Sequence, residues 1–370
     1  MLIKWLSEKT MGILKRAAFL KNRGKILSSL LAYRYFGRKR PIFAHLLLTN
    51  RCNLKCRYCF VDVNTIYESD FTLEEWKDTV RGLHRRGCVS ISLMGGEPLM
   101  FKELDALIDY IKSLGLNVDL TTNGISLRKK IETVRKVDSI MVSLDGREHA
   151  HDINRGKNSF KHAMDAIEAL KENNIPVRVN SMVNRQSREE LPWLLNFSKT
   201  NKIPITFNIT NEFSESKRDF QDEVMLNEDE IRDFYRELRA RIAEDSELAD
   251  LVLFSNKTID HVINYPKPFN ELILKEPGKK LKRNDMCWFG QVWVHIDSNG
   301  DIIPCSTLWN LPDKFTPKNI REHGLSDALE NATKLPCQTC YWPAPHEWKE
   351  VTTLRGVLNR IGTTIVQLKQ

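Results

Sequence analysis

Residues 43–59 read Phe-Ala-His-Leu-Leu-Leu-Thr-Asn-Arg-Cys-Asn-Leu-Lys-Cys-Arg-Tyr-Cys, an apolar run followed at once by three cysteines spaced CxxxCxxC. The run Phe43–Thr49 has the length and character of a buried strand, so the cysteines fall on the loop at its C-terminal end. Three thiolates on one loop can hold three irons of a four-iron, four-sulfur cluster, leaving the fourth iron open to a substrate or cofactor. A zinc site is the alternative reading. Structural zinc takes four ligands, however, and no obvious fourth lies nearby. Cys88 is distant and reads as a small buried residue.

Outward from this loop the pattern alternates strand and helix. Strands are expected at Phe43–Thr49, Val89–Met94, Asn117–Thr121, Ser139–Leu144, Pro176–Val183 and Ile203–Ile209. Helices are expected at Leu73–Arg86, Lys102–Leu114, Ser126–Arg135, Ser159–Asn173 and Arg188–Thr200. Six short apolar strands separated by amphipathic helices predict an α/β fold with a parallel sheet, whose chemistry sits at the strand C-terminal ends. The motifs fall there. After the cysteine loop come Gly95-Gly96-Glu97-Pro98, then Thr121-Thr122-Asn123-Gly124, then Ser143-Leu144-Asp145-Gly146 with His151, Arg155 and Gly156 downstream.

CxxxCxxC after the first strand, with Tyr58 before the last cysteine, followed by GGEP after the second, resembles the radical SAM superfamily. The resemblance covers roughly residues 42–210 and implies a partial (β/α)6 barrel resembling part of a TIM barrel. It implies that Cys52, Cys56 and Cys59 hold a [4Fe–4S] cluster whose open iron takes S-adenosylmethionine. Gly95, Gly96, Glu97 and Pro98 would contact the cofactor's amino group. Glycines let backbone approach a ligand closely, and a carboxylate can neutralise an ammonium. Tyr58, Asn123, Ser143, Arg155 and Asn180 are further cofactor-binding candidates by the same resemblance. For Ser143 and Asp145 ordinary turn chemistry is the alternative, and for Arg155 a solvated surface charge. The implied reaction is reductive cleavage of the cofactor to a 5′-deoxyadenosyl radical, which abstracts hydrogen from an unactivated C–H bond. It needs a reductant such as ferredoxin or flavodoxin and anaerobic conditions.

Residues 211–285 break the rhythm, with a helix near Glu228–Ala243 and a charged Pro/Lys-rich stretch at 265–283. Gln291–Ile303 reads as a hairpin around Ser298-Asn299-Gly300. The pattern C-x12-G-x4-C from Cys287 to Cys305, with Cys337 and Cys340 after it, resembles the SPASM/twitch extension of radical SAM enzymes. It implies one auxiliary [4Fe–4S] cluster on Cys287, Cys305, Cys337 and Cys340. A four-cysteine zinc cage is the alternative. In sulfatase-maturing relatives an Asp follows the Gx4C cysteine. Ser306 stands there, which counts against formylglycine formation. The expected domains are an N-terminal arm, 1–41, a radical SAM core, 42–210, a variable substrate region, 211–285, and an auxiliary cluster domain, 286–370.

Charge singles out the arm. The chain of 370 residues carries a net +8, yet residues 1–40 alone hold 11 Lys/Arg and one acid, Glu8. Ile13, Ala17, Leu20, Leu27 and Leu31 share a helical face, and Trp5, Tyr33, Tyr35 and Phe36 add aromatics. A basic amphipathic helix suits an anionic membrane surface, and packing against the barrel is the alternative. The strongly apolar face argues against nucleic acid. No secretory signal or spanning segment is evident, and close cysteine spacings suit a reducing cytosol. The expectation is a cytoplasmic protein, peripheral on the inner membrane face, forming carbon–carbon bonds on a lipid or isoprenoid-like substrate. The alternatives are a peptide maturase and a non-catalytic iron–sulfur electron carrier.

Overall fold

Strands β1 (Phe43–Leu47), β2 (Ser90–Met94), β3 (Asn117–Thr122), β4 (Ser139–Ser143), β5 (Val177–Val183) and β6 (Ile205–Ile209) run parallel, each hydrogen-bonded to the next in chain order. The computed structural model describes residues 24–61, 63, 70–210, 221–269, 271–276, 282, 285–309, 311–335, 337–350 and 352–353. Helices follow the strands on one face, at Leu73–Arg85, Leu104–Ser113, Ser159–Glu172 and Leu191–Asn201. The first starts on a capping box in which Thr72 and Glu75 satisfy each other's backbone N–H. This is a partial barrel of the expected α/β class.

Burial along the strands alternates. Ala44, Leu46, Ile91, Leu93, Val118 and Leu120 are sealed in one core with Trp76, Leu107 and Ile111 of the outer helices. The residues between them, such as Ser92, Asp119, Thr121, Arg178, Asn180 and Thr206, are half-buried and polar. Strands in a helix-covered parallel sheet are commonly apolar on both faces. Here one face packs on helices and the other lines a polar lumen that solvent reaches.

The expected hairpin forms, as β8 (Trp293–Ile296) and β9 (Asp301–Ile303), turning at Asp297–Gly300. Its docking is new. β8 lies parallel to β1, pairing Phe43 with Trp293 and His45 with His295, and β10 (Lys318–Asn319) extends the sheet beyond β9. The order is therefore β10-β9-β8-β1-β2-β3-β4-β5-β6. The hairpin covers the β1 edge, which unpaired would offer free backbone groups. A second ladder pairs β7 (Ile273–Leu274) with β11 (Cys337–Thr339).

Three local differences from the sequence reading have physical causes. A helix at Glu148–Arg155 was not foreseen, because its buried face carries Ala150, His151, Asn154 and Arg155 and gives no apolar stripe. Residues 126–135 hold a 3-10 turn, Arg128–Lys130, and one short helix, Ile131–Val134. Residues 24–36 are helical; Leu30 and Tyr33 are buried with Ile26 packed beside them, while the expected Leu27 and Leu31 are half-buried. Tyr33 meets Trp288 edge to face at 5.1 Å, so it is a packing residue. The rest of the expected arm face, Ile13, Ala17 and Leu20, lies outside the described residues. Among the described residues no helix is long and apolar enough to cross a membrane.

Trp76 is fully buried and meets Phe71 at 5.0 Å. Trp76→Ala should destabilise the fold by about 3–5 kcal/mol, read from the urea midpoint at unchanged m-value.

Candidate active site

The loop after β1 is held from three sides. Leu54 N–H points at Cys52 Sγ at 3.4 Å, and Arg57 N–H donates to Asn154 O at 2.9 Å, tying the loop to the helix Glu148–Arg155. Asn123, at the end of β3, donates through Nδ2 to Asn53 Oδ1 at 2.8 Å and lies 3.9 Å from Cys52 Sγ. Burial, with the charges of Glu97 and Cys59 adding to it, pushes the Cys52 thiol up to about 11. Burial pushes Cys56 up to about 12, against the lowering influence of Arg155. The three thiols thus lie within one another's electrostatic reach. Among the described residues no three His, Cys, Asp or Glu side chains converge on a single ion position. A cluster takes one thiolate per iron and does not ask them to.

The Gly95-Gly96-Glu97-Pro98 turn is stitched to that loop by its backbone. Gly96 N–H donates to Thr49 O at 2.7 Å and Glu97 N–H to Arg51 O at 2.8 Å. The approach is so close that a Cβ on Gly95 would lie 2.7 Å from Thr49 O, and one on Gly96 2.4 Å from Arg51 O. Only glycine fits, and Gly95 also has φ +150. The Glu97 carboxylate is turned inward. It accepts from Thr122 Oγ1 at 2.7 Å, Asn123 N–H at 2.9 Å and Leu99 N–H at 3.2 Å. Burial raises it to about 7 despite those donors. Glu97 therefore binds β2 to β3, and what the turn shows outward is backbone. Pro98 opens the buried 3-10 turn Pro98–Met100.

A second buried network backs the cysteine loop. Tyr58 Oη donates to Asp145 Oδ2 at 2.5 Å, and Arg155 reaches the same carboxylate through Nε at 2.7 Å and Nη2 at 3.2 Å. Met182 N–H also donates to Asp145, and Asp145 N–H donates to His151 Nδ1. Arg155 stands over the Tyr58 ring at 5.3 Å. Burial alone would push the Asp145 carboxyl up, but the Arg155 guanidinium overrides it and holds the group below the usual carboxylate range. The surface-charge alternative for Arg155 is thereby excluded, since the side chain is 7% exposed. Its charge is engaged by Asp145. Ser143, the last residue of β4, stands in register with Asn180 in the middle of β5. Asn180 Oδ1 accepts from Thr206 Oγ1 at 2.9 Å and Asn208 Nδ2 at 2.6 Å.

Cys287, Cys305, Cys337 and Cys340 are all buried and line one small cavity, walled by Leu272, Phe289, Leu308 and Trp342. Burial pushes all four thiols up. Two lysines that the sequence did not single out, Lys275 and Lys349, stand within electrostatic reach of these thiols, and burial lowers both. Lys275 donates to Leu335 O. His261 and His346 both place Nε2 at the Cys340 carbonyl, at 2.9 and 3.1 Å. Neither lysine lies in a motif, so spacing offers no signal for them. Trp309 joins the two cysteine groups. It packs on the cluster containing Cys52 and Cys59, meeting Phe60 at 5.6 Å, and on the cluster containing Cys287 and Cys305.

The family model of the radical SAM superfamily matches residues 46–197. Over 155 residues the chain is 34% identical to the sporulation killing factor maturation protein SkfB of Bacillus subtilis (strain 168), covering 41% of this chain and 38% of that protein. Over 172 residues it is 31% identical to the Fe-coproporphyrin III synthase of Methanosarcina barkeri (strain Fusaro / DSM 804), covering 45% and 43%. The match spans less than half the length of either relative. In three dimensions the chain is similar to Streptococcus suis SuiB bound to precursor peptide SuiA, with TM-score 0.61 at 19% identity over 79% of this chain and 65% of that one. Against SuiB bound to S-adenosylmethionine the TM-score is 0.57 at 20% identity, over 79% and 64%. These likenesses show a shared fold.

Two predictions follow from the networks. Asp145→Asn leaves the Arg155 charge buried and unpaired, and should lower stability by about 3–5 kcal/mol in chemical denaturation. Glu97 has its folded pKa raised from 4.5 to about 7. The native state therefore binds the extra proton in that window, and stability contributed by Glu97 is lost as pH rises through it. Glu97→Gln should flatten the fall of the unfolding midpoint between those pH values.

Proposed function

We propose, on the premise that residues 46–197 form a radical SAM domain, that this chain is a radical S-adenosylmethionine enzyme acting on a peptide. One observation carries the reading. The CxxxCxxC loop and the GGEP turn meet backbone to backbone at the C-terminal ends of adjacent parallel strands. The residues fit the groups that the domain implies. Cys52, Cys56 and Cys59 would hold a [4Fe–4S] cluster with one iron free, and the side-chain-free backbone of Gly95 and Gly96 would admit the amino-acid end of S-adenosylmethionine. Cys287, Cys305, Cys337 and Cys340, around an apolar cavity, fit an auxiliary cluster with full cysteine ligation.

Bound together, cluster and cofactor supply an organic radical that takes hydrogen from an unactivated C–H bond. The protein's own residues position and shield. Glu97 fixes the turn against β3, while Asp145 and Arg155 fix Tyr58 and with it the cysteine loop. Phe60 and Trp309 place an apolar wall between the two cysteine groups, which suits a radical that must be kept from water. Burial raises the Cys52 and Cys56 thiols, so cluster assembly must displace protons from both.

The peptide substrate is supported by what the relatives are called. SkfB is a maturation protein and SuiB was solved with a precursor peptide. Neither name speaks for the lipid expectation. A second reading, docking at an anionic membrane, is favoured by Tyr35 and Phe36, 65% and 78% exposed beside Arg38 and Lys39. Those side chains suit an interface, not a solvated surface.

Anaerobically reconstituted protein with dithionite should convert S-adenosylmethionine to 5′-deoxyadenosine. Cys56→Ala should abolish this and remove about four of about eight irons. Intact clusters without cleavage would return the chain to an electron carrier. Co-expression with small peptides encoded beside it should change a peptide's mass; turnover on a lipid extract alone would reverse the substrate. Tyr35→Ser with Phe36→Ser should weaken sedimentation with phosphatidylglycerol vesicles, and unchanged binding would remove the membrane reading.

A further inference from the structure

One level of the lumen is lined by polar side chains alone on successive strands. The registers align His295 of β8 with His45 of β1, His45 with Ser92 of β2, Ser92 with Asp119 of β3, and Asp119 with Ser139 of β4. All five lie on the face opposite the helix-packed residues Ala44, Ile91, Val118, Ile140 and Val294. One side of this level is self-satisfied. Arg178 lies 3.3 Å from Asp119 and donates to Ser139 Oγ at 3.0 Å.

The histidine side is different. His295 is 2% exposed, and neither of its ring nitrogens has a hydrogen-bond partner in the protein. His45 Nδ1 and Trp293 Nε1 are likewise buried without a partner. The two imidazoles meet edge to face at 4.7 Å, and His45 meets Trp293 at 4.6 Å. Buried polar atoms of native proteins almost always find partners, and leaving them unpaired is unfavourable. Four such atoms on one wall of a lumen define a place where a polar group of a ligand would be held.

Its position suits a substrate. Leu47, two residues beyond His45 on the same strand face, belongs to the apolar cluster on which Cys52 and Cys59 pack. Two strand residues advance about 7 Å, so the histidines sit one layer below the cysteine loop. Their chemistry narrows the ligand. Burial keeps both rings neutral, lowering His295 to about 3 and His45 well below its ordinary value with His295 adding to the effect. A neutral imidazole offers one donor and one acceptor. A carboxylate can only accept, and a hydrocarbon chain can do neither. A backbone amide, with one N–H and one C=O, matches both.

We propose that His45 and His295 form a lumen subsite that holds a backbone amide of the substrate. The inference rests on the peptide reading above and gives it an address. No other described His, Cys, Asp or Glu completes a three-ligand metal site around the pair.

The test is saturation-transfer NMR on the full-length, anaerobically reconstituted protein, with N-acetylalanine N-methylamide as probe and sodium acetate as comparator. The amide signal should exceed the acetate signal several-fold. It should be lost in His295→Phe, which keeps an aromatic ring, and largely restored in His295→Gln, which keeps a donor and an acceptor. Iron content and far-ultraviolet circular dichroism check that each variant is folded. If His295→Phe fails that check, His45→Leu is read in the same way. Equal amide and acetate signals, or an amide signal that survives the folded variants, would overturn the subsite. Its failure is separable from failure of the peptide reading. Amide binding without modification of any peptide leaves the subsite standing and removes the peptide. Undiminished modification of a peptide by His295→Phe does the reverse.

Discussion

A single buried carboxylate ties the working end of the barrel together. Glu97 draws the turn after β2 onto the end of β3 through Thr122 and Asn123, while its own N–H reaches back to Arg51, the residue before Cys52. Three loops that sequence separates are thereby held as one surface. The arrangement needs glycine at 95 and 96, because the backbone of Thr49 and Arg51 occupies the space where side chains would stand. It also needs Glu97 inside, where its three donors offset part of what burial takes from the charged form. A ligand at this surface meets main chain and thiols, with the carboxylate behind them.

The Asp145 network does the same for the other side of the cysteine loop. Tyr58, Arg155, His151 and Met182 N–H come from three elements, the cysteine loop, the helix Glu148–Arg155 and β5, and converge on one residue just past the end of β4. Fully satisfied buried networks of this kind specify a unique packing, and partly satisfied ones are unstable. Here the carboxylate's partners are complete, which is consistent with a role in holding the loop still. The lumen histidines are the contrasting case. Both ring nitrogens of His295 and Nδ1 of His45 are buried without a hydrogen-bond partner in the protein.

Much of this was legible in residue order. The alternation of short apolar runs with amphipathic segments predicted the parallel sheet, and CxxxCxxC with GGEP predicted which strand ends carry the chemistry, because motif spacing and strand period are both local properties. The hairpin around Asp297–Gly300 was legible for the same reason. The helix Glu148–Arg155 was not, since its buried face is polar and carries no periodic apolar signal. Nor was the inward turn of Glu97 or the pairing of Arg155 with Asp145. Each depends on which residues of other strands stand opposite, and a carboxylate in a motif reads the same whether it faces a ligand or a neighbouring loop.

The sequence by itself determined the class of fold, the two cysteine sets and the turn that accompanies the first. Those features are fixed by short-range pattern: period, turn chemistry and the spacing of ligands along a few residues. Only the tertiary structure decided that β8 docks beside β1, that Trp309 is shared by both cysteine groups, and that His45 and His295 stand side by side. His45 and His295 are brought together by backbone pairing between segments at opposite ends of the chain. Long-range pairing of that kind is chosen by burial of whole faces and the covering of an open sheet edge, and leaves no mark in the residues nearby.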